Sequence, residues 1–126
     1  MAGERTVQKI RIMIAGTRQA SFQALARIVG RASDAYQVSE QLWNEAEAVK
    51  LVRENNADVV LVDASAGDGF DFCEKLTSAC SNIGAILVGG RRSYEWLKRA
   101  MDAGARGYIA EDECTGEGVR REIDRV

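Results

Sequence analysis

Asp63 is the residue of this chain best placed to do chemistry. It closes Val59-Val60-Leu61-Val62, a continuous apolar run suited to a central strand covered on both faces. A carboxylate there can serve a reactive site, or it can simply cap the loop that follows in a wet crevice. The rest of the inventory is thin. There is no histidine, which removes the commonest general base, proton shuttle and zinc ligand together. Cys73, Cys80 and Cys114 are odd in number and lack metal-ligand spacing. Cys73 and Cys80 fall on one predicted helix and read as small buried hydrophobes rather than a redox pair. No G-x-G-x-x-G follows the first strand, and no phosphate-loop motif occurs. Gly89-Gly90-Arg91-Arg92 has the makings of an anion cradle at a helix N-terminus. A tight turn followed by two solvated arginines accounts for it more simply.

The elements that must position Asp63 alternate regularly. Apolar, β-branched runs predict strands at Ile10 to Ala15, Ala35 to Gln41, Val59 to Val62, Ile83 to Val88 and Gly107 to Ala110. Helical spacing predicts helices at Gln19 to Val29, Glu45 to Asn55, Phe70 to Cys80, Tyr94 to Ala103 and from Thr115 to Arg125. Asn44 and Ser93 suit N-caps, and Gly30 and Gly104 suit stops. In the fourth helix the spacing puts Leu97, Ala100 and Met101 on the apolar face. This alternation implies a parallel sheet with helices on both faces. Ligands then bind beyond the carboxyl ends of the strands. The candidate positions are Gly16, Thr17 and Arg18 after strand one, Asp63 and Ala64 after strand three, Gly89 and Gly90 after strand four, and Glu111 and Asp112 after strand five.

Bulk properties narrow the class. The 126 residues, 46% apolar and 29% charged, fit a single globular domain over 1–126. A net charge of -2 gives no global attraction for nucleic acid or anionic lipid. No apolar run approaches the ~20 residues that span a bilayer, and no secretory leader is evident, so the expected location is the cytoplasm without membrane insertion.

The order and spacing resemble the receiver domains of bacterial two-component response regulators over essentially the whole chain. Ile10 to Ala15, Asp58 to Asp63 and Ala100 to Asp112 carry the resemblance. The last segment looks most like receivers attached to helix-turn-helix transcription factors. The resemblance implies a flavodoxin-like (βα)5 three-layer α/β sandwich with parallel strand order 2-1-3-4-5. It also implies that Asp63 stands at the phospho-acceptor position. Two acidic residues after strand one would normally join that aspartate in holding Mg²⁺; here those positions are Gly16 and Thr17. The usual Ser/Thr after strand four is Gly89, and the usual lysine after strand five is Glu111. Mg²⁺ needs near-octahedral oxygen ligation, and Asp63 with Asp68 nearby is a poor cage. Exchanging lysine for glutamate turns an attraction into a repulsion, each ~4 kcal/mol for unit charges ~4 Å apart at an effective dielectric of ~20.

The expectation is therefore a non-enzymatic pseudo-receiver that binds Mg²⁺ weakly or not at all, uses no cofactor and is not efficiently phosphorylated. Arg18 is placed to reach Asp63 and replace the metal as its counter-charge. Tyr108 stands at the family's aromatic switch position, without a strand-four hydroxyl to follow. Tyr94, Trp96, Lys98, Arg99, Arg106, Arg120 and Arg121 mix aromatics and cations around the fourth and fifth helices. In the family this face makes homodimers and partner contacts. Interleaved acids argue against direct nucleic-acid binding there. Two other readings stay open: a working phospho-receiver that uses Asp63 in a non-standard pocket, and the N-terminal localisation domain of a pilus-assembly ATPase. A C-terminal output domain beyond Val126 is a further expectation.

Overall fold

A computed structural model of the chain describes residues 9–15, 19–42, 45–54, 56–64 and 69–126. Five β-α units follow in order: β1 (Ile10–Ala15), α1 (Gln19–Ala32), β2 (Tyr36–Leu42), α2 (Glu45–Glu54), β3 (Val59–Asp63), α3 (Gly69–Ala79), β4 (Gly84–Gly90), α4 (Tyr94–Asp102), β5 (Gly107–Ala110) and α5 (Gly116–Arg125). A 3₁₀ turn, Glu111–Glu113, leads from β5 toward α5. All strand pairs are parallel, in the order β2-β1-β3-β4-β5. This is the flavodoxin-like architecture, and its switch in strand order lies between β1 and β3.

The two-residue period of a strand sorts the core into two layers. In β3, Val60 and Val62 join Met13, Leu76, Leu87 and Ala100 under α2, α3 and α4. Val59 and Leu61 join Ile12, Ile14, Ile86, Ile109, Val119 and Ile123 under α1 and α5. Such β3 residues are almost fully buried, each worth about 1.5–3 kcal/mol relative to exposure. Both faces are covered, which is why β3 reads as an unbroken apolar run rather than an alternating one.

Most boundaries shift by a residue or so from the sequence reading, and the larger differences lie in α1, β4 and the packing of α4. α1 continues through Gly30 to Ala32, because that glycine is followed by residues still able to extend the helix. β4 begins at Gly84 and runs through Gly89 and Gly90, so the glycine pair lies inside the strand end. In α4 the buried residue is Ala100, while Leu97 and Met101 are exposed. That helix packs inward through Trp96, Ala100 and the following Ala103, so two of the three apolar positions expected to face the core face outward. The proposed Asn44 cap lies outside the described residues, whereas Ser93 does cap α4, accepting from Trp96 N at 3.2 Å.

Candidate functional site

Asp63 follows Val59 and Leu61 in strand parity, so it belongs on the α1/α5 side of the sheet. It is 8% exposed, the one charged residue in the described core, and its carboxylate is not without a partner. Its backbone pairs in register with Val88, and the next amide, Ala64 N, donates to Val88 O at 2.8 Å. α3 starts hard against this strand end. A Cβ on Gly69 would collide with the Asp63 carbonyl and the Ala64 Cα, both backbone atoms that cannot step aside.

Across the neighbouring strand, Gly89 has a φ of +93° and sits at the register shift between Val88 and Gly90. The residue is a bulge in left-handed conformation, which glycine adopts without steric cost. Asp63 and Gly89 border a cavity of about 290 Å³, together with Ala24, Leu25 and Ile28 of α1, Val88 of β4, Glu111 and Cys114. The position expected to hold a lysine therefore places a second carboxylate on the same cavity as Asp63. Cys114 completes the wall. Burial pushes its thiol above the ordinary value, and the charge of Asp63 pushes it further the same way. It is thus a protonated, weakly reactive thiol near neutral pH. Burial likewise raises Cys73 to about 11, with the charge of Glu74 adding to it.

Tyr108 lies on the opposite side of the sheet, in register with Leu87. Its hydroxyl donates to the Arg91 carbonyl at 2.7 Å. Gly90 makes room for this: a Cβ there would overlap both the Tyr108 hydroxyl and the Trp96 ring. The loop after β4 is also tied by Arg92, which pairs with Asp112 at 3.2 Å and Glu113 at 3.5 Å. These side chains are solvent-exposed, so the pairing is worth no more than about 1 kcal/mol.

The sequence-derived surface set divides. Trp96 is half-buried, with its ring 5.4 Å from that of Phe70, and Arg99 lies over Phe70 at 4.1 Å. Arg106 donates to Ser81 O at 3.2 Å, at the far end of the sheet. Arg120 pairs within α5 with Asp124 at 3.8 Å. Lys98 and Arg121 are exposed, and Tyr94 is 77% exposed. Beside Tyr94, Leu97 and Met101 extend an outward apolar stripe that the sequence reading had assigned to the core. Gly16, Thr17 and Arg18, expected to complete the pocket around Asp63, lie outside the described residues. Among the described residues no group of three or more His, Cys, Asp or Glu is arranged to hold a metal ion. No helix among them is long and apolar enough to cross a membrane.

A doubly wound sheet with a buried aspartate at the end of its third strand defines the frame of the site. The chain belongs to the response regulator receiver domain family, whose model matches residues 12–116. It is 32% identical over 91 residues to the gliding motility regulatory protein of Myxococcus xanthus, a match that covers 69% of this chain and 12% of that protein. The chain thus spans about an eighth of that relative's length. The fold is similar to a two-component response regulator of the LuxR family from Aurantimonas (TM-score 0.80, 19% identity, 94% of this chain and 84% of that one). It is also similar to a Burkholderia pseudomallei protein described as pilus assembly-related (TM-score 0.76, 23% identity, 92% and 87%). At these identities the two structures speak for the fold alone.

Proposed function

We propose that this receiver domain works by binding rather than by accepting phosphate on Asp63. The observation that carries the reading is the placement of Asp63 and Glu111 on one cavity. Phosphoryl transfer to a carboxylate needs metal and cationic groups that neutralise charge developing on the transferred oxygens. A glutamate in place of the lysine adds charge of the wrong sign, although its exposure weakens the repulsion by screening. Gly89 supplies no hydroxyl, and Gly16 and Thr17 supply no carboxylates. Donors of this kind do not fit Mg²⁺. Arg18 is the counter-charge we assign to Asp63.

Output on this reading comes from protein contacts on the α4–β5–α5 face, through a homodimer or another protein. The exposed Tyr94, Leu97 and Met101 support it, since scattered single apolar residues are ordinary on a surface but a contiguous stripe is not. The match to a gliding motility regulatory protein, of which this chain covers 12%, supports a place in a bacterial regulatory pathway as one domain of a longer protein.

The test is incubation with acetyl phosphate and Mg²⁺, followed by intact-mass detection. The expected result is no phosphoryl adduct. An adduct that disappears in Asp63→Ala would overturn the reading and establish a working phospho-receiver.

A further inference from the structure

The helix α4 carries two apolar faces that lie one residue out of step. The face that meets the sheet is Trp96, Ala100 and the following Ala103. The next residue in each case is Leu97, Met101 and Gly104, and all three are exposed, Leu97 at 42% and Met101 at 53%. A step of one residue is a turn of about 100° about the helix axis. Tryptophan with two alanines occupies much the same volume as leucine, methionine and glycine together. An exchange of one set for the other therefore conserves volume, which is the kind of change a core tolerates best.

The described position is held chiefly by one ring. The Trp96 ring lies 5.4 Å from that of Phe70, and the Arg99 guanidinium lies 5.9 Å from its centre. Among the described residues no hydrogen bond engages the indole N–H. Beside this ring, between α3 and α4, runs an open trough of about 290 Å³. Phe70, Asp71 and Glu74 line it from α3, and Arg99 and Asp102 from α4. Asp102 stands about 100° around the helix from Trp96, on the side away from Leu97. A turn that brings Leu97 to the sheet thus moves Trp96 toward Asp102, which is toward the trough.

We infer that α4 is a two-position helix. In the described position Leu97 and Met101 face outward and Trp96 meets the sheet. In the turned position Leu97 and Met101 meet the sheet, Trp96 lies in the trough against Phe70, and Arg99 gives up its place over that ring. The inference rests on the binding reading above and supplies its regulation: the described position offers the apolar stripe to a protein partner, and the turned one withdraws it.

The experiment follows the leucine and methionine methyls by NMR, with a soluble gadolinium chelate that broadens exposed groups. Trp96→Ser removes the ring that holds the described position. Broadening at Leu97 and Met101 should then fall about twofold or more, as the population shifts to the turned position, while the other methyls keep their wild-type values. Wild-type protein gives a second measurement. Relaxation dispersion is expected at the Leu97 and Met101 methyls, and Glu74→Trp, at an exposed α3 position that fills the trough, should suppress it. Unchanged broadening in a folded Trp96→Ser protein overturns the inference. If that variant does not fold, flat dispersion in the wild type, or dispersion that survives Glu74→Trp, overturns it instead. The acetyl phosphate assay fails separately: an adduct on Asp63 removes the binding-only reading and leaves the helix measurements as they are, and no adduct with unchanged methyls does the reverse.

Discussion

The hydroxyl of Tyr108 reaches over Gly90 and donates to the carbonyl of Arg91 at 2.7 Å. The ring at the position expected from the resemblance to switch is hydrogen-bonded to the backbone of the β4–α4 loop. Tyr108→Phe removes one hydrogen bond at a half-exposed site and should cost about 0.5–1.5 kcal/mol. Gly90→Ala must displace both the hydroxyl and Trp96, and should cost more, on the order of 1–3 kcal/mol. Urea unfolding of the two variants gives the order; a smaller loss in Gly90→Ala would contradict the packing described.

Gly89 makes a second, independent prediction. Restoring the family's hydroxyl with Gly89→Thr places a β-branched residue at a φ of +93°. The strain should destabilise the domain by about 1–3 kcal/mol. Even with Glu111→Lys, Gly16→Asp and Thr17→Asp added, the pocket is expected to regain Mg²⁺-dependent phosphorylation only at a cost in melting temperature. Thermal unfolding and intact mass read the two effects separately.

Thiol reactivity follows from the direction of the shifts. Cys114 is raised by burial first and by Asp63 second, so its thiolate fraction at pH 8 is below that of an ordinary cysteine. Alkylation by iodoacetamide should be slow there and should quicken in Asp63→Asn, which lifts the second cause. Unchanged kinetics in that variant would show that the charge of Asp63 does not reach the sulfur.

Stability should fall on the alkaline side. Cys73 and Cys114 are raised from 9.0, and Tyr36 and Tyr108 from 10.0. For Tyr36, burial leads, followed by its hydrogen bond to Asp124 at 2.7 Å and that carboxylate's charge. Above the unfolded values the native state keeps protons that the unfolded chain releases, so the stability held below pH 9 declines as pH rises through this window. Urea midpoints between pH 7 and pH 11 test it, with a rising midpoint as the contrary result.

The outward stripe on α4 predicts a separation of binding from folding. Leu97→Ser with Met101→Ser should weaken self-association or partner capture, yet change stability by only about 0.5 kcal/mol. Sedimentation velocity across a concentration series, beside thermal unfolding, tests both halves. A large loss of stability would mean that these side chains are packed after all.

The strands were legible because β1, β3 and β4 are buried on both faces and spell themselves as apolar runs, whereas their order followed from the resemblance to receiver domains. Asp63 was legible for the same reason, being the first charge after the strongest run. Leu97 and Met101 were misread because helical spacing identifies apolar faces without saying which one meets the sheet. Trp96, Ala100 and Ala103 won that contact. The cavity wall was invisible: Ala24, Leu25 and Ile28 look like any helix face, and they reach Asp63 and Cys114 only through the fold. The bulge at Gly89 depends on a backbone angle that two adjacent glycines permit but do not specify.

Strand parity puts Asp63 and Tyr108 on opposite sides of the same sheet. A hydroxyl at the end of β4 would be the natural relay between them, and two glycines stand there instead. The sheet thus acts as a partition: the cavity between α1 and the strand ends lies on one side, and the exposed side chains of α4 lie on the other. If the domain works by binding as proposed, the two sides answer separately, because Gly89 and Gly90 carry no side chain that would link them.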